Sequence, residues 1–178
     1  MPDFTPFWIS IKVALISTVI VTIIGVLVSK WLYERKGIIA RILESMIVLP
    51  IVLPPTVMGF ILLIIFSPHS VVGRFFSNVL HIPVVFTMTG AVIASVIVSF
   101  PLMYQHTVQG FRGIDSKMLN TARTMGASER KIFYRLIVPL SKRSILSGIM
   151  MSFARAIGEF GATLMVAGYI PNKTNTLP

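Results

Sequence analysis

Hydrophobic residues in this chain come in long blocks, and charge is confined to the gaps between them. The first block, Val13–Ser29, is uncharged between Lys12 and Lys30. It can cross a hydrocarbon layer of roughly 30 Å if the two lysines reach outward to the interface. Trp31 and Tyr33 follow where aromatic residues line a membrane boundary. The second block, Ile42–Phe66, contains Pro50, Pro54, Pro55 and Gly59, so the pattern predicts a broken span there and not one straight helix. The third is Met88–Tyr104, with a kink expected at Pro101, and the fourth is Ser144–Tyr169. Between the second and third, Val71–Leu80 predicts a short interfacial helix with Phe75, Phe76, Val79 and Leu80 toward lipid. The expectation is an all-α, polytopic bundle of about four spans.

One stretch departs from this pattern. Leu119–Leu140 is the most polar and basic part of the chain. Met118, Ala122 and Met125 recur at helical spacing, Gly126 interrupts them, and Ser128 with Glu129 forms a helix-start signal. A second apolar face then runs through Ile132, Phe133, Leu136 and Ile137 to Pro139. This predicts a helix, a tight glycine turn and a second helix, standing in solvent between two spans.

Composition supports the membrane reading. The 178 residues are 54% hydrophobic and 12% charged, against about 25% charged in soluble domains. The net charge of +10 is not spread over a surface. Lys30, Arg35, Lys36 and Arg41 face only Glu34 in the first basic loop. Arg112, Lys117, Arg123, Arg130, Lys131, Arg135, Lys142 and Arg143 face only Asp115 and Glu129 in the segment 110–143. Positive loops mark the cytoplasmic side, which puts the N-terminus, the 67–87 loop and the tail outside. There are no cysteines. The start, MPDFTPFWIS, lacks a basic leader and a small-residue cleavage site, so the first span is expected to be retained.

Three features invite a functional reading, each beside a plainer one. The basic hairpin suits a DNA-binding helix-turn-helix, which the flanking spans disfavour, an amphipathic hairpin resting on anionic lipid, or a docking element. Arg155 and Glu159, four apart on one predicted helix, make either a self-neutralising structural pair or the lining of a solute path, since ionisable groups in a span face protein or water. Pro54, Pro55 and Thr56 mark either a packing kink or a new helix N-terminus whose partial positive charge favours an anion. His69, His81 and His106 lie on separate segments without ligand spacing, so no metal site is expected. No Gly-x-x-x-x-Gly-Lys segment occurs, so no nucleotide site of the P-loop kind is expected, and no Ser/His/Asp arrangement points to an enzyme.

The same three motifs resemble those of ABC importer permeases. Asn120-Thr121-Ala122, Gly126 and Val138-Pro139 are similar to the family's loop pattern of Glu-Ala-Ala, a glycine and a later Leu-Pro, with the Glu and first Ala replaced. Phe153–Pro171, FARAIGEFGATLMVAGYIP, and Leu49–Phe60, LPIVLPPTVMGF, resemble the molybdate branch of the oxyanion permeases, as do the trailing Thr174, Thr176 and Leu177-Pro178. The resemblance implies a fold of the type I importer kind and a cytoplasmic coupling loop, residues 110–143, within a single transmembrane domain, residues 1–178. It implies that Asn120, Thr121, Ala122, Arg123, Thr124, Met125, Gly126, Ala127 and Ser128 dock on an ATPase, and that Pro54, Pro55, Thr56, Arg155 and Glu159 line or gate the pathway. The implied partners are a second permease copy, a pair of ATP-binding subunits that carry ATP and Mg, and an extracytoplasmic molybdate- or tungstate-binding protein. The implied place is a prokaryotic cytoplasmic membrane, and nucleic acid is not an expected partner. In the family the pattern continues after a Thr-Leu-Pro into one more hydrophobic helix, so a shortened form of a longer permease is expected. Sulfate or another oxyanion is the alternative cargo. An ATP-independent carrier or channel subunit, or a membrane-anchored structural protein, remains the reading from another class.

Overall fold

The computed structural model describes residues 4–35, 37–79, 81–170, 174 and 176. Among them there are helices and no strand. Two unbroken helices, α1 (Thr5–Tyr33) and α5 (Met88–Arg112), are long and apolar enough to cross a membrane. The helix α5 runs past the predicted end at Tyr104, and Pro101 lies within it without breaking it.

Helix α5 is the centre of the bundle. Against it α1 buries Ser10, Val13, Ala14, Ser17, Thr18, Val21, Gly25, Ser29 and Leu32, a stripe at steps of three and four residues that is one helical face. On another side α9 (Lys142–Ile157) buries Gly148, Ser152 and Ala156. These are mostly small residues, as membrane packing requires. In lipid there is no hydrophobic gain from burial, so close backbone approach and hydrogen bonds hold helices together. Ser17 and Ser29 of α1 donate to the carbonyls of Val92 and Tyr104 at 3.3 and 3.4 Å, and Ser152 of α9 donates to that of Ser99 at 3.4 Å. Ser95 of α5 donates to Ala156 O at 3.4 Å. Each such bond contributes about 0.6 kcal/mol. Met103 sits between two glycine notches. A Cβ at Gly25 would lie 2.6 Å from its Cγ, and one at Gly148 would lie 3.0 Å from its Sδ.

The other two predicted spans are each interrupted. The second begins earlier than its pattern suggests, as α2 (Ile38–Val52), and turns by 117° into α3 (Pro55–Phe66). The expected interruption at the prolines is there, but it is sharp enough to send the chain back on itself. Pro50 lies inside α2; the break falls at Leu53 and Pro54, where extended backbone stops the helix. In the fourth, α9 ends at Ile157, and a separate short helix, α10 (Gly161–Ala167), follows. The interfacial segment forms α4 (Val71–Arg74) and a π turn, Phe75–Val79. Phe75 and Val79 are exposed as expected. Phe76 instead turns inward, packing edge-on against Phe66 at 5.4 Å beside the Leu62–Val84–Val98–Val166 core. Leu80, Lys36 and the pair Leu177-Pro178 lie outside the described residues.

Candidate functional site

Two regions carry the predicted site residues: the polar hairpin and the place where the two helix breaks meet. The hairpin comprises α6 (Ser116–Thr124), a turn, and a strut made of α7 (Glu129–Ile132), a π turn over Phe133–Ile137 and α8 (Val138–Leu140). Asp115 caps α6, its Oδ1 accepting from Lys117 N at 2.8 Å. The turn is a Schellman closure: Ala127 N donates to Ala122 O at 3.0 Å and Gly126 N to Arg123 O at 2.9 Å. Gly126 has φ +80°, which L side chains rarely adopt. Ser128 then caps α7 by accepting from Lys131 N.

Arg123 ties this turn together. Its Nε and Nη2 donate to Glu129 at 2.7 and 3.2 Å, and its Nη1 donates to Asn120 Oδ1 at 2.8 Å. The hydrogen bond from Arg123 holds the Glu129 carboxyl below the usual carboxylate range, and Glu129 pushes the Arg123 guanidinium up. Thr121 and Thr124 donate back to the helix carbonyls of Lys117 and Thr121. The apolar face differs from the predicted one. Leu119, with half-buried Ala122 and Ala127, packs on Phe111, Ile132, Phe133 and Ile137, whereas Met118 and Met125 are exposed, Met125 by 82%. The glycine turn rotates the helix end so that Met125 projects at the hairpin tip. At the other end, the strut bears on α1: Lys30 Nζ stands 4.4 Å from the Phe133 ring centre. Pro139 lies within α8 and does not close the strut. The bend comes at Ser141, where the strut meets α9 at 66°.

The second region lies where α3 and α10 begin. The helix α3 begins at Pro55, as predicted, and Pro54, Pro55 and Thr56 are exposed. Gly161, the first residue of α10, faces that start so closely that a Cβ on it would lie 2.9 Å from Pro55 Cβ. Arg155 and Glu159 do pair, Nη1 to Oε2 at 2.6 Å, but not on one helix. Glu159 lies beyond the end of α9, because Gly158 caps that helix. The carboxylate instead reaches forward, its Oε1 accepting from Ala162 N at 2.6 Å in the first turn of α10. Its side chain is 1% exposed and that of Arg155 31%. The two breaks thus stand side by side, with a buried carboxylate spanning one and a partly open guanidinium beside it.

Several of these contacts have no signature in the sequence. The cap at Asp115 carried a readable signal, an acidic residue just before a helix. The Arg123–Glu129 bond is six residues apart and crosses a turn, so no helical spacing announces it. The approach of Gly161 to Pro55, and the ion pair of Arg112 with Glu44, join distant segments. Among the described residues no three His, Asp or Glu side chains gather as a metal site would need.

Residues 21–176 match the model of the family described as "Binding-protein-dependent transport system inner membrane component". YvgM of Bacillus subtilis (strain 168), whose designation as a molybdenum transport system permease is provisional, is 47% identical over 98% of this chain and 77% of its own length. The molybdenum transport system permease proteins ModB of Azotobacter vinelandii and of Escherichia coli (strain K12) are each 33% identical, over 98% and 99% of this chain and 77% of their own lengths.

Proposed function

The chain belongs to the family of binding-protein-dependent transport system inner membrane components, and from that premise we propose that it is the membrane-spanning subunit of an ATP-driven importer of molybdate or tungstate. The relatives named for molybdenum transport align along nearly its whole length, which supports that cargo over sulfate. In this reading two copies form the path, and a pair of separate ATPase subunits binds ATP and Mg below them. A binding protein delivers the oxyanion from outside, and the hairpin lies in the cytoplasm with the N-terminus opposite.

The observation that carries the proposal is the hairpin. It is closed by a left-handed glycine, clamped by Arg123, tipped by an exposed Met125 and braced on the bundle through Leu119 and Phe133. A solvated element built this rigidly transmits force. Residues 120–128 are the contact with the ATPase, and the strut passes its movement to α9 and so to the two breaks. There Pro54, Pro55 and Thr56 with Arg155 and Glu159 form the gate, the guanidinium and the start of α3 offering positive potential to a tetrahedral dianion. The permease makes no covalent change to its cargo, and alternating access follows from repacking at the breaks.

Co-purification with a P-loop ATPase, followed by molybdate uptake in proteoliposomes, tests this reading. Binding of the ATPase that is lost in Gly126→Pro, with the chain still inserted, is the expected result. Uptake that proceeds without any ATPase would overturn it. Single cysteines at Arg155 and Thr56 should react with a water-soluble thiol reagent in a nucleotide-dependent way; protection in every state would leave Arg155–Glu159 a structural pair.

A further inference from the structure

The elbow at Ser141, between the strut and α9, has a groove that the transport reading does not use. Its volume is about 420 Å³, and it is lined by Val138 from the strut and by Lys142, Arg143, Ile145, Leu146 and Ile149 from α9. Val138, Lys142, Ile145 and Ile149 recur at steps of four, three and four across a 66° bend, so one helical face is folded into a hollow. The floor is aliphatic: Leu146 is 58% exposed, and Val138, Ile145 and Ile149 are half-buried. Lys142 and Arg143 line it with their aliphatic stems and carry their charges outward. Both are exposed. The ion pairs among the described residues use Arg112, Arg123 and Arg155, so within that set neither cation is neutralised by a carboxylate.

We propose that this elbow binds an anionic phospholipid of the leaflet on the hairpin side. Lys142 and Arg143 hold its phosphate, and one acyl chain lies along Val138, Ile145, Leu146 and Ile149. Charge complementarity selects this occupant. The groove begins at the first residues of a helix that enters the membrane, where phosphates and acyl chains meet at the same depth. Basic pockets at that level match lipid headgroups. A neutral apolar partner would leave two desolvated cations without counter-charge. The lipid would brace the joint through which the hairpin acts on α9.

Native mass spectrometry of the delipidated full chain, offered phosphatidylglycerol or phosphatidylcholine, tests the proposal. The chain should retain phosphatidylglycerol and release phosphatidylcholine. The Lys142→Gln/Arg143→Gln variant should retain phosphatidylglycerol roughly thirty-fold less well, the effect of two interfacial cations. Arg130→Gln/Lys131→Gln removes the same charge from the hairpin outside the groove and should change little; an equal loss there would mean diffuse attraction and overturn the site. Leu146→Trp fills the groove and keeps both cations. It should also weaken retention, and unchanged retention would reduce the site to headgroup adsorption and overturn the acyl seat. Equal binding of both lipids, or a dimer that closes the groove and carries no lipid, overturns the proposal as well.

Discussion

The hairpin and the paired breaks are both helix, interruption, helix, and each contains one ion pair of arginine with glutamate. They are built on opposite principles. In the hairpin Arg123 and Glu129 are exposed, and the turn is held by caps and by the backbone closure at Gly126. At the breaks Glu159 is buried, and the geometry is held by what surrounds it. The glycines make the same contrast. A Cβ added at Gly126 would meet nothing within 4 Å, and the residue has φ +80°, so it is needed for its backbone. Gly161 is needed for its missing side chain, because Pro55 fills the space. A local device can be assembled in water by adjacent residues, whereas a buried one exists only once the bundle has formed.

The sharpest way to break this contrast is to remove one ion partner at each place. Arg155→Leu strands the buried Glu159 carboxylate, and we expect a loss of about 3–5 kcal/mol, read as a lower Tm in detergent. Arg155→Leu/Glu159→Leu should recover much of it. A change no larger than that of Arg123→Leu would erase the distinction. Next in size, Gly161→Val drives a side chain into Pro55 and should cost about 1–3 kcal/mol as overpacking, with Gly161→Asn no better. Gly126→Val should cost about 1–2 kcal/mol through its left-handed backbone. That loss should appear as faster amide exchange in the hairpin alone, and Gly126→Asn should be the milder variant because Asn tolerates this conformation.

The smallest effect is one of pH. The folded pKa of Glu129 is depressed by Arg123, so the clamp stabilises the turn above the ordinary glutamate range and is lost as pH falls through the depressed value. Amide protection factors at Gly126 and Ala127, normalised to the intrinsic exchange rate at each pH, should therefore fall on acidification, and Glu129→Gln should remove that dependence.

What was legible in the sequence follows the same division. The cap at Ser128, the turn at Gly126, the helix start at Pro55 and the first and third membrane-length blocks are signals carried by neighbouring residues, and the structure has each of them; the second and fourth blocks are interrupted. The reversal of 117° after α2 was not legible, since prolines announce a break but not its angle. Arg155 and Glu159 have helical spacing, yet the helix ends between them because Gly158 intervenes and α10 offers the carboxylate a better partner at Ala162. Met118 and Met125 matched an apolar period, but the face that packs is set by Leu119 against Phe111 and Phe133, which belong to other elements.

Rows of glycine, serine and alanine make smooth tracks, and α5 lies between two of them. Met103 is a long side chain that enters both, through Gly25 on α1 and Gly148 on α9. It therefore works as a detent. Hydrogen bonds from Ser17, Ser29, Ser95 and Ser152 fasten the tracks, and the methionine keys their register. Beyond it, Ser29 of α1 donates to Tyr104 O, and Ser144 of α9 packs closely on Gly110. Met103→Ala would blunt the detent, and cysteine cross-links between α1 and α5 would then form over a wider range of pairs.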